Sequence, residues 1–530
     1  MKTFDYVIVG AGSSGCVLAE RLSRDPRTSV LVVEAGPPDT SMLIRMPRGV
    51  IKLVGGGHKH ASTYEVQTGG NRGTATWVKG RGLGGSSSIN GMVYARGFPQ
   101  DYDAWEAAGC QGWGWKDIGR CFKAMEGHEL GEAEWRGADG PLKITMQRRL
   151  SPLMAAVIRA GGEMGVPHAP DINEAFGGGI GVQTCTIFGG QRMSAARAFL
   201  HPASKRPNLT VVTDTQALRL IFEGTRAVRI ALRDASGPRE VGIGRDVILS
   251  AGAIESPKLL QLSGVGPATH LQALGVPVVA DRPDVGRNLR DHVNVVMRYR
   301  VNSGSFDQEF RGGRLPFNLL RYFLMRSGPM THPAHELLAF VKTRPEYEIA
   351  DGELGMLFAG AGRKPDGRMY VQPGSSIQFT AYYGRPTSQG HCLIRSADPD
   401  QPPMIDANFL ATEEDRRHTI DLVRYAYRLM NQPALAAAAP TYMGPGAKVD
   451  FESDDEVLDL AQTVGSSAAH VAGTCRMGGD PASVVDPALR VRGVHGVRVV
   501  DTSVFPSLPI GNTNAPALVT AWRAAELIAQ

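Results

Sequence analysis

Six residues near the start of the chain, Gly10-Ala11-Gly12-Ser13-Ser14-Gly15, have the types and spacing to hold a phosphate chain. They form a G-x-G-x-x-G run between an apolar stretch, Asp5-Tyr6-Val7-Ile8-Val9, that reads as a buried strand, and a helical pattern, Cys16-Val17-Leu18-Ala19-Glu20-Arg21-Leu22. In that setting the first glycine allows the tight turn, the second lets a pyrophosphate approach the backbone, and the third lets helix pack on strand. The helix N-terminus offers unpaired N–H groups and the positive end of its dipole to the phosphates. A second strand, Ser29-Val30-Leu31-Val32-Val33, ends at Glu34, where a carboxylate suits the ribose hydroxyls of an adenosine. Strand, glycines, helix, strand and terminal Glu together predict a dinucleotide site. A second glycine-rich run, Gly80-Arg81-Gly82-Leu83-Gly84-Gly85-Ser86-Ser87-Ser88-Ile89-Asn90, cannot build a core, but its N–H groups and hydroxyls can wrap a phosphate or a ring.

The elements that must position these residues need a large fold. At 530 residues the chain exceeds one simple core, so two domains are the natural expectation. Its 42% hydrophobic and 21% charged content is globular. A net charge of +5, with no basic cluster interleaved by aromatics, gives no reason to invoke nucleic acid. Cys16, Cys110, Cys121, Cys185, Cys392 and Cys475 are scattered, so neither a metal site nor a disulfide framework is supported. The first strand begins at once after Met1, which leaves no room for a signal peptide. No apolar run approaches about 18 residues, the length of a transmembrane helix. A reducing cytoplasm is the expected location.

The cofactor-type motifs fall into separated blocks. The expected organisation is α/β: a Rossmann-like dinucleotide-binding domain in three parts, 1–150, 190–295 and 461–530, interrupted by an α+β substrate-binding domain over 296–460. Within the latter, Ile377, Phe379, Ala381 and Tyr383 alternate with strand period. Thr412-Glu413-Glu414-Asp415 predicts a helix start, followed by Ile420, Val423, Tyr427 and Met430 at helical spacing. Segment 311–326 sets Arg311, Arg314, Arg321 and Arg326 among Leu315, Phe317, Leu319, Leu320, Phe323 and Leu324. It reads as a partly buried helix of the substrate domain; the alternative is an amphipathic membrane-surface element.

Taken together, the two glycine runs resemble the glucose–methanol–choline (GMC) oxidoreductases, bacterial alcohol and choline dehydrogenase-like members above all. The stretch Gly80 to Asp103 matches the family's first signature, and Gly252-Ala253-Ile254-Glu255-Ser256-Pro257 through Gly266 matches its second. The C-terminal elements follow: His470-Val471-Ala472-Gly473-Thr474-Cys475-Arg476-Met477-Gly478, the strand Val497-Arg498-Val499-Val500-Asp501, and Asn512-Thr513-Asn514-Ala515-Pro516. The resemblance spans nearly the whole chain and implies FAD. It would place Gly10, Gly12, Ser13, Ser14, Gly15, Glu34 and Ala35 at the ADP part. Arg81, Gly84, Gly85, Ser86, Asn90, Gly91, Met92 and Val93 would lie along the pyrophosphate and flavin. Ala217, Asp501, Asn512, Thr513 and Asn514 complete the implied cofactor contacts. Some members bind the flavin covalently through a histidine; Ile89 stands at that position, so non-covalent FAD is expected.

The resemblance further implies oxidation of a CH–OH group, with His470 as base and Asn512 as orienting partner. A histidine suits the task because its unperturbed pKa of about 6.5 lies near working pH. An amide can hydrogen-bond the substrate oxygen but cannot take its proton. Asn514 then reads as the cap, and Pro516 as a first-turn residue, of a helix whose dipole would face the flavin. Ala469 and Val471 flank His470 where many bacterial members carry an aromatic residue and a proline. Glu336 stands where related dehydrogenases often have a glutamate, and reads as a structural carboxylate; His495 likewise reads as structural. The expected substrate is a small-molecule alcohol, a primary one of modest polarity. The expected electron acceptor is oxygen, a quinone or another carrier. A choline dehydrogenase, an oxygen-using oxidase, and an FAD-dependent lyase or decarboxylase on the same fold are the alternatives.

Overall fold

The computed structural model describes residues 1–529 other than 56, 70–72, 148–149, 364–368 and 445–448. Its first strand, Thr3–Val9, is buried over its last four residues. A parallel strand covered on both faces needs consecutive apolar side chains, and Tyr6-Val7-Ile8-Val9 provides them. This strand lies in parallel between Val30–Val33 and the end of the long strand Gly237–Leu249. Leu209–Val212 extends the parallel part on one side, and Val497–Val499 pairs with Gly237–Leu249 on the other. Gln216–Glu223 and Arg226–Asp234 continue the seven-stranded sheet as an antiparallel meander. The helices Ser13–Leu22 and Asn514–Ala529 pack together beside it, with Val17, Leu18, Leu518 and Trp522 in the same core as Val7 and Ile8.

A second seven-stranded sheet is antiparallel. Its spatial order is Gly179–Val182, Leu337–Val341, Gly352–Leu357, Ser376–Tyr383, Val293–Arg300 and Thr441–Tyr442, with Ser466–Ser467 pairing at the start of Val293–Arg300. Helix Glu413–Met430 buries Ile420, Val423 and Met430 against Leu354 and Phe379 of this sheet. Each such aliphatic side chain contributes about 2 kcal/mol on leaving water. The helix starts as its sequence predicts, the Asp415 N–H donating to the Thr412 hydroxyl. Helix Pro152–Glu163 joins the same core. Among the described residues no helix is long and apolar enough to cross a membrane.

Segment 311–326 forms a partly buried helix, as expected. Helix Arg314–Met325 buries Asn318 and Tyr322 and packs Leu315 and Leu319 inward, but it turns Phe317, Leu320, Phe323, Leu324 and Met325 outward. Periodicity defines an apolar face without saying whether the fold has anything to put against it.

Candidate active site

The two glycine runs meet each other. Gly10 has φ +100°, and a Cβ there would stand 2.5 Å from the Ser250 carbonyl oxygen. A Cβ on Gly15 would stand 1.9 Å from the Gly10 carbonyl oxygen, so helix Ser13–Leu22 can approach its strand only with glycine at this position. Gly12 is different. Its backbone is extended, and a Cβ would meet nothing closer than the Ser250 oxygen at 3.8 Å. No protein atom demands glycine there; what a side chain would enter is a cavity of about 840 Å³. Gly84 (φ +85°) donates its N–H to the Ala11 carbonyl, 2.8 Å, and a Cβ on Gly85 would lie 2.7 Å from the Gly12 Cα.

Gly10, Gly12, Ser13 and Ser14 form one wall of that cavity, with Glu34, Ala35 and Ala217 beyond them. Arg81, Gly85 and Ser86 line it, as do Asn90, Gly91, Met92 and Val93. His470, Asp501, Asn512, Thr513 and Asn514 line it from the C-terminal block. Gly15 and Gly84 do not: they stand behind the wall, where they set the packing and the turn.

Glu34 holds the cradle in shape. Its carboxylate accepts N–H groups from Ala11 (2.8 Å), Gly36 (2.8 Å) and Gly82 (3.0 Å), so it ties both glycine runs together. Arg81 donates to the Ala35 carbonyl at 3.0 Å. Buried Arg192 clamps the second run from beneath, donating to the Ser87 and Asn90 carbonyls (3.2 and 2.8 Å) and to the Asn90 amide oxygen (2.7 Å). Asp501 accepts from the Gly252 N–H (2.9 Å) and the Ser256 hydroxyl (2.6 Å), and so caps helix Gly252–Leu262. Helix Asn514–Ala529 starts one residue earlier than the predicted cap requires. The Thr513 carbonyl accepts the Ala517 N–H at 3.0 Å, while the Asn514 amide oxygen accepts the Ser13 hydroxyl at 2.9 Å. Two helix N-termini, at Ser13 and Asn514, therefore face one cavity, an arrangement suited to negative charge.

At the other end of the cavity the structure brings His470 and Asn512 together, the Asn512 amide nitrogen lying 3.1 Å from His470 Nε2. It adds a residue that the sequence reading missed. His292 Nδ1 lies 2.9 Å from His470 Nδ1, and His292 Nε2 lies 2.9 Å from the Gly384 carbonyl. A carbonyl only accepts, so His292 carries its proton on Nε2. Its bare Nδ1 then accepts from His470 Nδ1–H, which leaves the His470 Nε2 lone pair facing Asn512 and the cavity. Both rings are held neutral: burial pushes His292 down to about 4, and burial, with the Lys79 ammonium nearby, holds His470 well below its usual 6.5. Tyr382 stacks on His292 at 4.6 Å and meets His470 edge-on at 5.5 Å.

The loop carrying His470 is pinned. Asp291 accepts the His470 N–H at 2.8 Å and the Ser467 hydroxyl, and Ser467 in turn accepts the Ala469 N–H at 2.8 Å. Lys79 donates to the Ala469 carbonyl at 2.9 Å. These bonds hold Ala469 at φ +64°, a left-handed conformation costly for any residue with a Cβ. Burial raises the Asp291 carboxyl to about 6. The signal in the sequence was Asp291-His292 directly ahead of an alternating strand, a pair of ionisable groups placed where a buried element begins.

Val50, Ile51, Val54, Ile89, Leu357 and Met369 give the cavity an apolar lining, with Arg48 and Lys79 among its charged side chains. Arg48 pairs with fully buried Glu336, which also accepts the Phe358 N–H at 2.9 Å and does not line the cavity, so Glu336 is a structural carboxylate. Buried polar atoms without a protein partner, Asn294 Oδ1, His335 Nδ1, Asn512 Oδ1 and Arg48 Nε, all belong to lining residues. A cavity whose wall leaves such atoms unmatched is built for a polar guest. His495 lies elsewhere, its backbone bonded to Thr225 and Ala227.

A glycine-lined cradle at two helix N-termini, opening onto a neutral buried histidine, defines a dinucleotide-dependent oxidoreductase of two-sheet architecture. The chain belongs to the GMC oxidoreductases: residues 4–294 and 386–521 match the family's two models. It is 39% identical over 99% of its length to an "Alcohol dehydrogenase [acceptor]" of Pseudomonas putida, covering 95% of that protein. It is 38% identical, at the same coverage, to an oxygen-dependent choline dehydrogenase of Brucella canis. Pyridoxine 4-oxidase from Mesorbium loti superposes with a TM-score of 0.88 over 99% of both chains at 30% identity.

Proposed function

We propose that this protein oxidises a neutral, largely apolar primary alcohol to the aldehyde, with His470 as base and Asn512 as orienting partner. At the coarser level it is an FAD-dependent oxidoreductase acting on CH–OH groups. When bound, FAD supplies the hydride acceptor. The chain supplies the rest. Asn512 Nδ2, which donates to His470 Nε2 at 3.1 Å, is placed to donate to the substrate oxygen in its stead. His470 Nε2 takes the hydroxyl proton as the C–H bond breaks, and the new imidazolium keeps its Nδ1–H on His292. The apolar wall keeps water from the reacting carbon. The observation that carries this proposal is the tautomer chain from Gly384 through His292, which leaves a lone pair on the one nitrogen that faces the cavity.

FAD is held without a covalent link, because Ile89, buried against Ile44 and Leu53, offers no nucleophile. Heat or acid denaturation is therefore expected to release all flavin to the supernatant. The cysteines are all free and buried, in keeping with a reducing compartment, and a cytoplasmic location is proposed on that ground.

The choice between a neutral alcohol and choline follows from charge. A quaternary ammonium calls for a nearby carboxylate or aromatic faces. Here Arg48 contributes a cation, and Glu336 is spent on it. Dye-coupled turnover with aliphatic, benzylic and quaternary-ammonium alcohols tests this. A kcat/KM for neutral alcohols at least about tenfold above that for choline is expected. Choline as the best substrate would overturn the proposed substrate class, and reaction with none of the alcohols would favour the lyase alternative.

A further inference from the structure

Helix Arg314–Met325 exposes large apolar side chains along one side: Phe317 is 64% exposed, Leu320 57%, Phe323 49%, Leu324 74% and Met325 70%. Single exposed apolar residues are ordinary, but a run of them on one helix marks a contact surface. Phe188, nearby in the chain's fold, is 47% exposed. Its hairpin folds against the end of the helix, where a Cβ on Gly190 would lie 2.1 Å from the Arg326 carbonyl oxygen. The surroundings are basic. Arg311, Arg314 and Arg321 are exposed, and Arg45, Arg197 and Arg326 all act on the Tyr322 hydroxyl. The carboxylate at the start of the helix, Glu309, is taken up by Arg314 at 2.7 Å and by Asn318 at 2.9 Å. The inner side of the helix packs on Met46, Phe310 and Met330, and Arg48 of the cavity wall stacks on Phe310 at 4.8 Å.

We propose that this face seats the protein on an anionic lipid bilayer, with helix Arg314–Met325 lying in the plane of the interface. The apolar side enters the acyl boundary while the arginines meet lipid phosphates. A helix of 12 residues is far too short to span. A protein partner or a second copy could cover the apolar side, but neither accounts for the exposed arginines on the same segment, Arg311, Arg314 and Arg321. Seated this way, the substrate end of the cavity lies directly behind the membrane-facing helix, a route suited to an apolar alcohol. The proposal stands apart from the chemistry at His470, so either can fail alone.

Co-sedimentation of the FAD-loaded enzyme with vesicles tests it, using phosphatidylcholine alone and phosphatidylcholine containing phosphatidylglycerol. Binding to the anionic vesicles at least about tenfold tighter than to the neutral ones is expected. The triple variant Phe317→Ser/Leu320→Ser/Leu324→Ser should lose that binding while keeping flavin content and dye-coupled turnover. Arg311→Gln and Arg321→Gln should each weaken it by about fivefold. Failure to sediment with either vesicle, or equal binding to both, overturns the proposal. So does a dimer that the triple variant abolishes and that anionic lipid leaves intact.

Discussion

A histidine can take a proton only from a nitrogen that has none, and His470 is held in that state by its neighbours. The Gly384 carbonyl fixes His292, and His292 fixes His470. Replacing the base, His470→Ala, is expected to lower kcat by about 10²–10⁴-fold with flavin content unchanged. His292→Phe keeps the ring stacked on Tyr382 but removes the acceptor for His470 Nδ1–H. It should cost about tenfold in kcat, because a buried donor is left unpaired and the other tautomer becomes accessible. The pH profile separates this from a merely structural loss. Burial is the main cause that holds His470 below 6.5, and His292→Phe leaves it in place. Without His292 the imidazolium loses the acceptor for its Nδ1–H, so the acid limb of the kcat profile should move to lower pH, whereas a packing defect that spares this bond would lower kcat and leave the limb in place.

At the scale of elements, the glycines divide into those the fold needs and one that the ligand needs. Gly15→Ala drives a Cβ to 1.9 Å from a carbonyl oxygen and should leave little folded protein. Gly12→Ala meets nothing nearer than 3.8 Å, so the apoprotein should keep its thermal midpoint yet bind FAD at least about tenfold more weakly. Titrating refolded apoprotein with FAD checks both. The turn at Gly10 and the close packing at Gly15 were legible in the sequence because such a glycine pattern between strand and helix has a fixed steric meaning. The same holds for the Thr412 helix cap. His292 and Arg192 were not legible, because each acts on residues more than a hundred positions away, through contacts that only the packing of two sheets creates. The side chain of Asn514 was misread for the same reason: a distant hydroxyl, on Ser13, claims its oxygen before the local cap can. The outward face of helix Arg314–Met325 shows the converse, where a periodic pattern gave the face but not its surroundings.

For the whole molecule, the antiparallel sheet carries a charge problem of its own. Glu353, on strand Gly352–Leu357, is fully buried beside Tyr382, and burial pushes its carboxyl up to about 8 from 4.5. The folded state thus keeps a proton that the unfolded chain gives up. Stability contributed by the neutral acid is present below the unfolded pKa and drains away as pH rises towards 8, by at most about 1.4 kcal/mol per unit. Glu353→Gln removes this drain, so its thermal midpoint should rise above that of the parent by more at about pH 8 than at about pH 5. The measurement that tests the central claim most directly joins the two sheets in one reaction. FAD-loaded protein is mixed without oxygen with neutral aliphatic and benzylic alcohols, and its visible flavin absorbance is followed. Bleaching by a neutral alcohol is expected, slowed by at least about a hundredfold in His470→Ala that still holds FAD. A flavin band that no alcohol bleaches, or one bleached as fast without His470, would contradict it.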